Sequence, residues 1–151
     1  PDLLIADEPT TALDVTVQAQ IIRLLGDLVK QRNLSLVLIT HDMSVVAQTC
    51  DKVMVMYAGT AIERGGVHDI FNSPSHPYTK ALIGCIPHGL SETVRLKGIE
   101  GTVPGVAQYP SGCRFHPRCA LAEDICKESV PVFDTAGSRA AACHFALGTA
   151  Q

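Results

Sequence analysis

Two short runs made wholly of apolar residues, Leu3-Leu4-Ile5-Ala6 and Leu36-Val37-Leu38-Ile39, constrain this chain more than anything else in it. Such runs suit buried strands, and each stops at polar groups: the first at Asp7-Glu8, the second at Thr40-His41-Asp42. Between them Val17, Ile21, Leu24, Leu25 and Leu28 recur at helical spacing, which predicts a helix over Val15 to Lys30. Asp14 is placed to cap its start and Asn33 to end it. A short helix over Met43 to Thr49 leads to a third strand, Val53 to Tyr57. The Ala58-Gly59 turn then starts an antiparallel partner, Ala61 to Arg64. Strand, helix, strand, helix, strand is the pattern of a parallel sheet flanked by helices, so the expected fold class is α/β. Ligands bind such sheets at the C-terminal ends of the strands, the rim on which Asp7, Glu8 and His41 fall.

Beyond Gly65-Gly66 the pattern predicts helices over Val67 to Phe71 and Tyr78 to Ile83. From Pro87 the texture changes: Gly and Pro recur, apolar periodicity fades and cysteines collect. A boundary is expected near residue 85, dividing residues 1–85 from a small, loop-rich part, 86–151. Cys113, Cys119, Cys126 and Cys143 lie in that part, while Cys50 and Cys85 stand alone. A region so poor in core formers needs a staple, and with no secretory leader a metal is expected before disulfides. The spacing C-x5-C-x6-C-x16-C lacks the close pairs of zinc knuckles. Four thiolates on loops suit an iron–sulfur cluster. Zinc, with His116 and His144 in reserve, and unligated thiols are the alternatives. Arg114 and Arg118 either neutralise an anionic cluster or face solvent, and His68 and His88 read as surface residues.

Composition narrows the function classes. The net charge of -3, from 12 Lys+Arg against 15 Asp+Glu, leaves no basic footprint for nucleic acid. Hydrophobic residues at 46% and charged residues at 18% provide for a core and argue against wholesale disorder. No apolar run approaches the ~20 residues of a membrane-spanning helix. The chain opens at Pro1 straight into an apolar strand, with neither an initiating Met nor a basic leader, and reads as a piece of something longer.

The segment Leu3-Leu4-Ile5-Ala6-Asp7-Glu8-Pro9-Thr10-Thr11-Ala12-Leu13-Asp14 resembles the Walker B strand and D-loop of ABC transporter ATPases, and Thr40-His41-Asp42 resembles their switch histidine. Ser75-His76-Pro77-Tyr78-Thr79-Lys80-Ala81-Leu82 is similar to the His-Pro-Tyr segment of ATP-binding subunits of dipeptide and oligopeptide importers. The C-terminal extension of those subunits carries four cysteines in the pattern seen here.

The resemblance implies the C-terminal half of a P-loop ABC-type ATPase domain with a Cys-rich extension, and ATP hydrolysis that drives peptide import. It implies Asp7 as the Mg²⁺ carboxylate, Glu8 as catalytic base, His41 at the γ-phosphate and Asp14 in the D-loop. It further implies a 4Fe-4S cluster on Cys113, Cys119, Cys126 and Cys143. The implied partners are transmembrane permease subunits and a second ATP-binding subunit, identical or paralogous, at the cytoplasmic face of the inner membrane.

Neither the G-x-x-x-x-G-K-[ST] phosphate loop nor a Leu-Ser-Gly-Gly-Gln signature occurs in the 151 residues. Asp7, Glu8 and His41 are therefore expected to be half of an active site, inactive alone, with Leu3 to Ala6 left as an unpaired edge. The rival readings are a non-catalytic iron–sulfur or metal-binding module, with the α/β part as scaffold, and an inactive remnant.

Overall fold

A computed structural model describes residues 1–86, 98–136 and 138–146. His88 lies outside the described residues. The chain divides into two compact units, Pro1–Cys50 and Asp51–Gln151.

The first unit is a βαβα run. Strand β1 (Leu3–Asp7) pairs in parallel with β2 (Ser35–Ile39), from Leu3 opposite Ser35 to Asp7 opposite Ile39. Helix α1 (Val15–Arg32) makes the crossover. Its limits follow from its caps. The Asp14 carboxylate accepts the amides of Thr16 and Val17, each at 3.0 Å, and Asn33 closes the helix in the left-handed conformation at φ 52°. Helix α2 (Met43–Thr49) starts in the same way, on the Asp42 side chain.

The burial expected for β1 is not found. Ala6 is covered, but Leu3 and Ile5 of β1, and Val37 and Ile39 of β2, are exposed. Ile5 lies opposite Val37 and Asp7 opposite Ile39, so these exposed side chains share one face of the pair.

The second unit is built on an antiparallel sheet. Strand β3 (Lys52–Tyr57) does not extend the parallel pair. It turns back through Ala58 (φ 47°) and Gly59 (φ 79°) into β4 (Thr60–Gly66). Two successive positive φ angles suit a two-residue hairpin, whose twist then matches that of its strands. The α/β class holds, but the sheet, expected to be mainly parallel, is parallel among the described residues only in β1–β2.

Helices α3 (Val67–Asn72) and α4 (Pro77–Gly84) follow, then 3₁₀ turns at Val106–Gln108 and His116–Arg118 and the short α5 (Asp124–Glu128). The hairpin β5 (Phe133–Ala136) and β6 (Arg139–Ala142) returns to the sheet, giving the order β3-β4-β6-β5. Glu63 lies opposite Ala141, and Arg64 opposite Ala140. The two compact units therefore meet in the chain at Cys50–Asp51. Backbone pairing ties the two sides of residue 85 into one sheet.

The core of this unit comprises Val55, Tyr57, Ile62, Ile70, Ile83, Phe115, Cys126 and Ala140 to Ala142. Covering a side chain the size of Phe115, which is 3% exposed, contributes about 1.5–3 kcal/mol.

Candidate functional site

Each unit carries one cluster of chemically capable side chains. In the first, Glu8 follows β1 directly, and its amide donates to Ile39 O at 2.8 Å, one rung beyond the strand pair. Its backbone then turns left-handed, at φ 45°, and Ala12 does the same at 62°. These are unusual conformations for residues with a Cβ, and such strain concentrates at functional sites.

The turn folds Thr11 back onto the carboxylate. Thr11 Oγ1 donates to Glu8 Oε2 at 2.6 Å, and His41 Nδ1 lies 3.1 Å from Glu8 Oε1. These two hydrogen bonds, Thr11 first and His41 second, hold the Glu8 carboxyl below its usual pKa. Glu8 is thus an ionised carboxylate fixed from two sides, with its side chain about half exposed.

Asp7 stands at the same strand end, exposed. Asp14 does not join this group, because its carboxylate is engaged at the start of α1. Thr10, Thr11, Ala12, Leu13, Gln18, Thr40, His41 and Asp42 line a cleft beside Glu8.

Sequence reasoning missed three residues here. Thr11 positions Glu8. Gln18 Nε2 donates to Asp42 Oδ2 at 2.9 Å and links α1 to the start of α2. Burial raises the Asp42 pKa, but hydrogen bonds from Gln18 and from the Ser44 and Val45 amides outweigh it, and the net shift is downward. The available signal was an Asp directly ahead of a helix, with an amide side chain near the start of the preceding helix.

In the second unit the four clustered cysteines come together. Cys113, Cys119, Cys126 and Cys143 line one pocket with His76, Pro77, Phe115, His116, Leu121, His144 and Phe145. All four are free thiols. Among the described residues, no three His, Cys, Asp or Glu side chains are grouped so as to hold a metal ion.

The loop geometry is tightly specified. Gly112 has φ +66°, and the Cys113 amide donates to Cys126 O at 2.8 Å. Backbone amides also reach the sulfurs. Phe145 N–H donates to Cys143 Sγ at 3.4 Å, Phe115 and His116 to Cys113, and Leu121 to Cys119. Burial nevertheless dominates and pushes the thiol pKa up at Cys113 and Cys119, and to about 11 at Cys143. The mutual charge of neighbouring cysteines adds to the rise. Charging these sulfurs is costly unless a cation accompanies the charge.

His76 and Pro77 form one wall, and Tyr78 packs beside it. The ring of Tyr78 lies 5.4 Å from that of Phe115 and 4.8 Å from that of Tyr57. His76 is 1% exposed, and its Nδ1 accepts the Tyr78 amide at 3.0 Å to cap α4. Burial lowers the His76 pKa to about 4, so the ring is neutral.

Glu63 went unread in the sequence. It is 1% exposed and receives the amides of Ser75 at 2.6 Å and His76 at 2.9 Å, which fixes the entry to α4. Nothing in the sequence marks it, because an acid in a strand ordinarily faces water.

Arg114 and Arg118 are engaged with backbone carbonyls and aromatic rings. Arg114 donates to Ala58 O and stacks 4.0 Å from the centre of the Tyr109 ring. Arg118 donates to Glu100 O at 2.7 Å, Ile99 O at 2.8 Å and Tyr57 Oη at 3.3 Å. Both are clamps on the backbone. His116 Nδ1 donates to Cys113 O, and His144 Nε2 donates to Ser129 O. His68 is exposed, as expected.

Residues 62–126 match the family described as oligopeptide/dipeptide transporter, C-terminal region. The chain is 49% identical, over 99% of its length, to the dipeptide transport ATP-binding protein DppD of Escherichia coli, of which it covers 46%. It is 48% identical to DppD of Haemophilus influenzae, with 97% of this chain and 44% of that protein covered. The oligopeptide transport ATP-binding protein OppD of Salmonella typhimurium is 48% identical across 95% of this chain and 43% of its own length. The chain therefore spans a little under half the length of the curated relatives it matches. Among solved structures, cbiO1 of Clostridium perfringens, described as part of the ABC transporter complex cbiONQ, is 36% identical. That match covers 48% of this chain and 29% of the other, with a TM-score of 0.45. No helix among the described residues is long and apolar enough to cross a membrane.

Proposed function

We propose that this chain, similar along its whole length to ATP-binding subunits of dipeptide and oligopeptide importers, is the part of such a subunit that activates water for ATP hydrolysis. The parent protein would couple that hydrolysis to peptide import. Its partners would be membrane permease subunits and a second ATP-binding subunit, at the cytoplasmic face of the inner membrane. Similarity that runs through both units favours this reading over a free-standing metal module.

The observation that carries it is the state of Glu8. An ionised carboxylate at a strand-end rim, oriented by Thr11 on one side and His41 on the other, is equipped to take a proton from an attacking water. His41 stands at the same rim and is exposed enough to meet a terminal phosphate. Asp7, exposed beside it, would hold Mg²⁺, which neutralises phosphate charge when bound. Asp14 would keep its place in the D-loop by capping α1. Residues 1–85 would form the partial nucleotide-binding domain and 86–151 the extension. Alone, the 151 residues would hydrolyse no ATP, because phosphate-cradling amides and a phosphate-loop Lys are not among them.

For the extension we propose a 4Fe-4S cluster on Cys113, Cys119, Cys126 and Cys143, with zinc as the alternative. A cluster of this kind would be held by four Cys thiolates. Four thiols around one pocket, three of them already receiving backbone N–H groups, fit that need. When bound, the cluster supplies a one-electron centre and a covalent staple for a region with a small core.

Glu8→Gln in the full-length subunit tests the ATPase reading. ATP binding should be retained while hydrolysis slows at least ~10²-fold, the scale of general-base loss. Hydrolysis at the wild-type rate would remove Glu8 from the role of base.

A further inference from the structure

His76 carries a proton with nowhere to go. Its Nδ1 is committed as an acceptor, taking the Tyr78 amide at the start of α4. A neutral imidazole with a lone pair on Nδ1 has its hydrogen on Nε2. That atom is buried and has no hydrogen-bond partner among the described residues. An unmet buried donor costs about 1–3 kcal/mol, and native proteins rarely leave one without a reason.

The surroundings narrow what can meet it. The ring lines the pocket of the four thiols. Pro77, Phe115, Leu121 and Phe145 offer that pocket only carbon surface, and His116 and His144 are each tied to a backbone carbonyl. What the pocket has in quantity is sulfur. The ring is held rigidly as well. Glu63 fixes the His76 amide, Tyr78 fixes Nδ1, and Phe115 packs with its ring centre 5.9 Å away.

We propose that His76 Nε2–H is a hydrogen-bond donor to sulfur, thiolate or inorganic sulfide, of an iron–sulfur cluster held by Cys113, Cys119, Cys126 and Cys143. This rests on the cluster reading above. It makes His76 a positioning residue with two jobs on two nitrogens: capping α4 with Nδ1 and stabilising the cluster's negative charge with Nε2. A hydrogen bond to cluster sulfur favours the more negative, reduced form and so raises the reduction potential. The His-Pro-Tyr segment thereby becomes part of the cluster site.

The two jobs separate by substitution. In His76→Asn the side-chain oxygen stands where Nδ1 stands, so the cap survives and the deep donor is lost. In His76→Gln the amide nitrogen reaches the position of Nε2, so the donor survives and the cap is lost. The measurements, on anaerobically purified full-length subunit, are iron and acid-labile sulfide content, a potentiometric titration followed by electron paramagnetic resonance, and thermal unfolding.

His76→Asn should keep its stability while cluster reduction becomes about tenfold less favourable, a fall of about 59 mV for one electron. His76→Gln should lose stability and keep a near-native potential. Loss of the cluster from His76→Asn but not from His76→Gln supports the donor equally. A loaded His76→Asn with the wild-type potential overturns it, as do equal shifts in both variants. Wild-type protein without iron and sulfide overturns the cluster reading itself, and the donor with it.

Discussion

Gly112 is the residue whose replacement the structure condemns most clearly. Its φ of +66° is one that side chains with a Cβ adopt at a cost of about 1–2 kcal/mol. A Cβ there would sit 2.4 Å from Cys126 O, 2.8 Å from Lys127 C and 2.9 Å from Lys127 O. All three are backbone atoms, so no rotamer relieves the clash. The carbonyl that must move is the one that accepts the Cys113 amide, and losing that bond adds about 0.5–1.5 kcal/mol. Gly112→Ala should therefore weaken the loop by roughly 1.5–3.5 kcal/mol once the displaced carbonyl is included. At about 1.4 kcal/mol per decade, that is roughly 10- to 300-fold faster hydrogen exchange at the Cys113 amide in the full-length subunit. Gly105→Ala is the matched control. Its φ is -65°, and a Cβ meets nothing nearer than Gln108 Oε1 at 4.0 Å, so it should be neutral or stabilising by about 0.4–1 kcal/mol. Exchange in Gly112→Ala within about threefold of wild type would refute the reasoning, since the three contacts would then not constrain the loop.

Substitutions at two positions probe the first unit. Thr11→Val deletes the main hydrogen bond that lowers the Glu8 pKa, so that pKa rises and the base stays protonated to higher pH. The acid limb of the pH–rate profile for ATP hydrolysis should move upward, and an unmoved limb would speak against Glu8 as the proton acceptor. Asp14→Ala should cost about 1 kcal/mol, seen as faster exchange of the Thr16 and Val17 amides. Asp14→Asn, which keeps an acceptor, should restore most of the protection, and equal exchange in all three proteins would dismiss the cap.

What the sequence disclosed depended on how local the cause was. Helix α1 was legible because its apolar period, its capping Asp14 and its closing Asn33 all lie within one stretch of chain. The Asp7, Glu8 and His41 rim was legible because strand ends in a parallel pair must coincide. Strand β6 was not, because Arg139-Ala140-Ala141-Ala142 has neither alternation nor β-branched residues. Its burial comes from β4 and β5 lying on either side. Glu63 was hidden for the same reason: its partners, the Ser75 and His76 amides, reach it only through tertiary folding. Arg114 and Arg118 misled because a cation near cysteines suggests charge balance. Their actual acceptors are backbone carbonyls at Ala58, Ile99 and Glu100, distant in sequence.

The pairing of β4 with β6 imposes an order in time. When Gly66 leaves the ribosome, one edge of β4 has its neighbour in β3, while the strand for the other edge has not been made. At about 5–20 residues per second, the stretch from Gly66 to Arg139 takes roughly 4 to 15 s to synthesise. Throughout that interval β4 presents an open edge to any other nascent strand nearby. The last thiol, Cys143, emerges directly behind β6, so the strand that closes the edge also delivers the final wall of the sulfur pocket. Closure of the sheet and completion of the thiol set are thus a single late event in the life of the chain.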